Sequence, residues 1–279
     1  MGVRMRKGYR LVAIDVDGTL IEPGKPVSAA VRQAVARAQR QGVIITLASG
    51  RMYPLLERLV GDLGLRSPVI CYGGALVVDP STRGTIYRKG VPAALARDVI
   101  HEARRRNLPA RVYVGERVFV ERLVPGAFNY ESLLRVKATE VKDLLGILTD
   151  DPSHLAVDAP PDQTRRLVGE MRQMFSPGLH VTTGHPLLTE FSHPEVNKGS
   201  TLAWLANALH VPREETLAIG DDWNDVEMLH YAGLGVAVEN AHPDVLAIAD
   251  AVVPDVADDG VAVAIERFVL QPDASSGEE

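Results

Sequence analysis

An uninterrupted apolar run, Leu11 to Ile14, ends in Asp15, and a second aspartate, Asp17, follows after a single valine and just before Gly18. Four apolar residues in a row, with no polar alternation, fit a strand buried on both faces. A carboxylate at the end of such a strand is costly to bury, and a second one beside it adds repulsion. A chain with this feature must therefore cover the strand on two sides and bring positive charge to its end. The cover is legible downstream. Ser28 is placed to cap a helix whose Val31, Val35 and Ala38 share one face, and Gly42 is placed to stop it. "VIITLAS" (residues 43–49) is a second apolar strand, and "YPLLERLVGDLG" (53–64) a second helix with Leu55, Leu56, Leu59, Val60 and Leu63 on one side and Pro54 in its first turn. "PVICY" (68–72) reads as a third strand and 75–88 as a hairpin. Apolar strands alternating with amphipathic helices predict a parallel sheet covered on both faces.

The texture changes near residue 90 and changes back near 190. Between them lie a helix with a basic end (92–107), a hairpin around Gly115 and Glu116 (110–122), short strands at 154–159, 179–183 and 187–192, and a helix at 161–175. Hairpins mixed with helices predict an α+β module on an antiparallel sheet. After it come a helix (198–210), a strand ending in aspartate (215–221), a helix (225–233) and short strands at 234–238 and 251–254. The expected fold is α/β: a Rossmann-like doubly wound parallel-sheet core, residues 1–89 and 190–279, split by an inserted α+β domain, residues 90–189. The polar tail 271–279 is expected to be disordered.

Bulk properties narrow the function. The net charge of −6 argues against a nucleic-acid partner and against an anionic membrane surface, yet leaves room for a locally positive site. Cys71 is the one cysteine, so no intrachain disulfide forms, and its apolar neighbours predict a buried thiol. No apolar stretch reaches the ~18 residues of a membrane span, and the basic N-terminus lacks a signal-length apolar segment, so a cytoplasmic protein is expected.

In an open parallel sheet, ligands bind beyond the carboxyl ends of the strands. Those ends carry Asp15, Asp17, Gly18 and Thr19 on the first strand and Ser49, Gly50 and Arg51 on the second. Asp221, Asp222, Trp223, Asn224 and Asp225 follow the strand at 215–221, and Lys198 opens a helix. Carboxylates a few ångströms apart call for a hard divalent cation such as Mg2+, which takes oxygen ligands and is often shared with a phosphate. Lysine in a helix's first turn is electrostatically misplaced unless an anion is near. A metal, a lysine, a hydroxyl at Ser49 and backbone donors at two glycine turns describe a phosphoryl-transfer site. There one carboxylate attacks and another moves protons. An extended Asp15–Val16–Asp17 segment would point both carboxylates into one site.

The ordered set "DVDGT", "LASGR", "NKGS" and "GDDWND" resembles the haloacid dehalogenase superfamily, specifically its Cof-type phosphatases, and the likeness spans the whole chain. It implies that Asp15 is the nucleophile and a Mg2+ ligand. Asp17 is then the general acid/base, with its main-chain carbonyl as the metal contact, and Asp221 the acidic metal ligand. It implies phosphate binding by Ser49, Gly50, Arg51, Lys198 and Asn224, with Asp225 as a supporting carboxylate and Asp222 as a further one. The inserted module resembles the family's large α/β cap. Gly73 stands where many relatives carry asparagine. The implied activity is Mg2+-dependent hydrolysis of a small phosphorylated metabolite, such as a sugar phosphate, through an aspartyl-phosphate. A phosphomutase or a non-catalytic phosphometabolite sensor are the alternatives.

The remaining polar residues carry weaker expectations. Ser49 is a possible helix N-cap. His154, His185 and His193 lack metal-ligand spacing and are expected on the surface or in the cap. Arg104, Arg105 and Arg106 suit a solvated helix C-terminus. Arg111, Tyr113, Arg117 and Glu121 are candidates to face the cleft, on alternation alone.

Overall fold

The computed structural model describes residues 8–22, 24–123, 137–183 and 186–270. The core opens with β1 (Leu11–Ile14), α1 (Ala29–Arg40), β2 (Ile44–Leu47), α2 (Tyr53–Asp62), β3 (Val69–Cys71), β4 (Leu76–Asp79) and β5 (Gly84–Arg88). The insertion contributes α3 (Ala93–Arg105), β6 (Ala110–Val114), β7 (Arg117–Val120), β8 (Ala138–Glu140), β9 (His154–Asp158), α4 (Pro161–Phe175), β10 (His180–Thr182) and β11 (Leu188–Ser192). The core then resumes with α5 (Lys198–Ala208), β12 (Thr216–Gly220), α6 (Val226–Tyr231), β13 (Leu234–Val238), α7 (Pro243–Ile248), β14 (Ala251–Val253) and α8 (Gly260–Ala264).

β1 lies at the heart of a parallel sheet of order β14-β13-β12-β1-β2. Leu11 pairs with Thr216 on one side and Ile44 on the other, and all four residues of β1 are buried. The strand order reverses beside β1: β2 follows it outward in one direction, β12 to β14 in the other. Such a switch point opens a crevice at the carboxyl ends of the strands, here those of β1 and β12. Local signals hold as expected in α1. The Ser28 hydroxyl accepts from the Val31 N–H at 3.1 Å, and Gly42 follows the helix at φ +81°. Cys71 is buried, and burial pushes its thiol well above the ordinary range.

β3 departs from the expected continuation of the parallel sheet. A single parallel bridge, Ala48 to Ile70, ties it to the core strands, and its ladder is antiparallel to β4 in a separate sheet, β3-β4-β5. The turn at Tyr72–Gly74, with φ of +51°, +61° and +114°, sends the chain straight back.

The inserted sheet has the order β10-β11-β9-β6-β7-β8. One face packs on α3 and α4, joining Val99, Ile100, Leu155, Val157, Leu167 and Phe191 in a second hydrophobic core. Alternation turns Tyr113, Val118, Ala156 and Leu188 to the other face, where they join the main core. β11 runs through residue 189, the boundary expected from the sequence, and stays in this sheet to Ser192. Among the described residues no helix is long and apolar enough to cross a membrane. The expectations for His185 and for the tail 271–279 lie outside the described residues.

Candidate active site

The expected rim assembles around Lys198. The Asn197 side chain accepts from the Ser200 N–H and caps α5, so Lys198 starts the helix with its side chain directed inward and 1% exposed. Its Nζ donates to Asp15 Oδ1 at 2.5 Å, to Asp225 Oδ1 at 2.6 Å and to Asn224 Oδ1 at 3.3 Å. Asp15 is 5% exposed and Asp225 is fully buried. The second oxygen of Asp225 accepts from the N–H groups of Asp221 and Asp222, at 3.0 and 3.1 Å. Asp225 is thus saturated and braces the loop after β12. Asp222 accepts from the Trp223 N–H at 2.7 Å and caps the short turn Trp223–Asp225.

Asp15, Asp221 and Asp225 each offer a carboxylate oxygen, all within 4.8 Å of one another. Three carboxylates against the single Lys198 ammonium leave two negative charges uncompensated. Proton affinities follow from that excess. Burial, reinforced by Asp225 and opposed by Lys198, holds Asp15 well above the usual carboxylate range. Burial, then Asp225, pushes Asp221 from 3.8 up to about 6. Burial works against the charge on Lys198, but Asp15 and Asp225 together outweigh it and hold the ammonium above its ordinary range. An all-oxygen donor set with two surplus charges fits a hard divalent cation. With Asp225 saturated, Asp15 and Asp221 are the side chains that would hold the metal.

Gly18 is required here. Its φ is +88°, and a Cβ would stand 2.4 Å from Asp221 Oδ2. The neighbouring Thr19 hydroxyl donates to Asp221 Oδ1 at 2.5 Å, and Asn240 Nδ2 donates to the Gly18 carbonyl at 2.7 Å. Neither Thr19 nor Asn240 was assigned a role from the sequence. Thr19 had a signal, its place in "DVDGT"; Asn240 had none, because only folding brings it across.

Asp17 corrects the expectation of two parallel carboxylates. β1 ends at Ile14, and the chain turns at Gly18, with Val16 O accepting from the N–H groups of Leu20 and Ile21. Asp17, with a side chain 47% exposed, forms a two-pronged ion pair with Arg51, whose Nε donates to Oδ2 at 2.8 Å. Its carboxylate is not in the metal-type cluster. Arg51 thereby ties the loop after β1 to the loop after β2. Ser49 is buried and accepts from the Arg51 N–H at 3.1 Å; the N-cap of α2 is Met52, so Ser49 is not a helix cap. Gly50 lies between them with open space above its Cα.

Residues in the insertion resolve differently. Arg111 is bound to Asp158, Glu121 pairs with Arg104 and accepts the Leu144 N–H, and Arg117 lies 4.7 Å over the Phe119 ring. Tyr113 packs edge-on to Tyr72 and His154. His154 lies in the cap, one of its two expected places, and is buried there, its Nε2 3.2 Å from Glu190. Arg104, Arg105 and Arg106 are not simply solvated: each pairs with a carboxylate, Glu121 and Asp143, Glu102, or Glu102 and Glu170.

Comparison with known proteins agrees with this architecture. The family model for haloacid dehalogenase-like hydrolases matches residues 12–265, and the chain belongs to that family. It is 29% identical to phosphatase YwpJ of Bacillus subtilis (strain 168) over 278 residues, covering 91% of this chain and 97% of that one. It is 25% identical to the pyridoxal phosphate phosphatase YbhA of Escherichia coli (strain K12), covering 94% and 99%. Among solved structures, a haloacid dehalogenase-like hydrolase from Bacteroides thetaiotaomicron superposes with a TM-score of 0.82 at 28% identity, covering 93% of this chain and 99% of that one. The parallel core with its inserted cap is thus the fold of this hydrolase family.

Proposed function

We propose that this chain is a Mg2+-dependent phosphatase that hydrolyses a small phosphorylated metabolite through an aspartyl-phosphate on Asp15. The observation that carries the reading is the buried Asp15–Lys198–Asp225 network beside Asp221, with its surplus of negative charge. The phosphatase names of two relatives support it. Mg2+, held by Asp15, Asp221 and the main-chain carbonyl of Asp17, would offset charge on the transferring phosphoryl group.

The chain's own residues do the rest. Lys198 orients Asp15 and opposes the burial that favours its protonated form; with a cation beside it, the ionised carboxylate can attack phosphorus. Ser49 and the backbone donors of the Gly50 turn receive the phosphoryl oxygens. Asp17 leaves Arg51, takes a proton from solvent, and delivers it to the departing oxygen as the P–O ester bond breaks. Asp17 then takes a proton from the water that attacks the aspartyl-phosphate, releasing inorganic phosphate and restoring Asp15. Arg51 is free to meet the substrate's anionic charge while Asp17 is engaged.

Replacing Asp15 by Asn is the test. Phosphate release from a phosphomonoester in Mg2+ is expected to fall about a thousandfold or more, because the attacking group is gone. The variant should stay folded, since it removes one of the excess charges. Turnover at the parent rate would overturn the reading.

A further inference from the structure

A cavity lies between the cap and the core, beside the loop that follows β12. It encloses about 640 Å3, within the range of small-molecule sites. Thr164, Arg165 and Gly169 of α4 and His180 of β10 form the cap wall; Trp223 and Glu227 form the core wall. Asp222, next to Asp221, belongs to the same lining, so the cavity opens beside the proposed metal ligands.

Two features mark it as a built site. First, Trp223 is fixed from behind: Nε1 donates to Asp244 Oδ2 at 3.2 Å, and the ring packs 4.3 Å from His242. The Arg165 guanidinium stands 6.0 Å from the Trp223 ring centroid, and no ion pair described here engages it. Second, Gly169 sits in the interior of α4 with no atom within 4 Å of where its Cβ would be. Glycine inside a helix is less favourable than alanine, and nothing packed against Gly169 demands it. Its effect is to leave room in the cavity.

The geometry points to a planar heteroaromatic leaving group: a phosphate ester whose ring enters this cavity, lies against Trp223 and is met by Arg165. This inference rests on the phosphatase reading of the Asp15 site and narrows its substrate class from small metabolites in general to ring-bearing ones. Stacking on tryptophan suits any planar ring, and the guanidinium reinforces it where the ring carries electronegative atoms.

The test compares uridine monophosphate with glycerol phosphate, and adds uridine as a probe that needs no turnover. Gly169→Phe puts a ring into the cavity from an exposed helix position where a Cβ meets no atom within 4 Å. It is expected to lower kcat/KM for uridine monophosphate about tenfold or more, chiefly through KM, and to leave glycerol phosphate within about twofold. Arg165→Ala should act in the same direction and less strongly. Uridine should quench Trp223 fluorescence in the parent protein and fail to do so in Gly169→Phe; Trp204, stacked on Tyr87, is the control signal. Equal losses on both substrates in a Gly169→Phe protein with unchanged melting and helix content would overturn the inference, as would no loss on either. So would glycerol phosphate being preferred by the parent enzyme. If neither ester is hydrolysed, uridine quenching alone decides whether the cavity binds a ring, and the phosphatase reading is decided separately by the Asp15→Asn comparison.

Discussion

Two clusters of buried charge sit in this molecule, and they are built on opposite principles. In the insertion, Arg111 on β6 binds Asp158 on β9 with Nε and Nη2 contacts of 2.7 Å each. One cation meets one anion, and the fork of the guanidinium matches both carboxylate oxygens. In the core, one ammonium faces Asp15, Asp221 and Asp225. In the first, burial raises the proton affinity of Asp158 and the Arg111 guanidinium opposes it one to one. The second is stable only as part of something larger, since burial and mutual repulsion raise the proton affinity of Asp15 and Asp221. A balanced buried pair serves the fold; an unbalanced one leaves surplus charge that a divalent cation could offset.

The sharpest way to break this contrast is to remove the cation on each side. Lys198→Met leaves three carboxylates facing each other, so turnover should fall by about a hundredfold or more, and the fold should lose about 3–5 kcal/mol, the usual penalty for orphaning a buried charge. Urea melts and phosphate-release assays read both. Arg111→Met should carry a similar stability penalty of about 3–5 kcal/mol with the turnover of folded protein unchanged, and the double variant Arg111→Met, Asp158→Leu should recover most of it. Lost turnover in a folded Arg111→Met protein would erase the distinction between the clusters.

The smallest effect is a pH dependence. Asp221 holds its proton up to about pH 6 in the folded chain, against 3.8 as its ordinary value. Below the lower value both states are protonated. As pH rises between the two, the unfolded chain releases its proton first, so the fold loses stability across that window. In the presence of a chelator this decline should appear in thermal melts. Mg2+ should flatten it, and a slope that Mg2+ leaves untouched would argue that the surplus charge is not a metal site.

Much of this was legible beforehand. The apolar runs of β1, β2, β12 and β13, the cap at Ser28, and the positions of Asp15, Lys198, Asp221 and Asp225 at element ends all follow from local pattern and motif. What failed did so for reasons of long range. β3 was read as another parallel strand because three buried apolar residues look alike in either kind of sheet. Asp17 was expected to join Asp15 in one site; only folding brings Arg51 across to engage its carboxylate. Arg117 and Glu121 share the Phe119 face that packs on the insertion's helices, whereas Arg111 shares the face of Tyr113 and Ala156 and is engaged there by Asp158; alternation shows that a strand has two faces and not which one meets a partner.

By itself the sequence determined the elements, their order, the interruption of one α/β core by a second module, and which residue types stand at the strand ends. These are local consequences of side-chain chemistry: periodicity, capping, and the high penalty of burying charge without purpose. Tertiary structure alone decided the charge balance at each cluster, the pairing of Asp17 with Arg51, the support of Gly18 by Asn240, and the cavity between Gly169 and Trp223. Each depends on residues far apart in the chain meeting at atomic distances, and electrostatic and packing energies are set by those distances rather than by spacing along the chain.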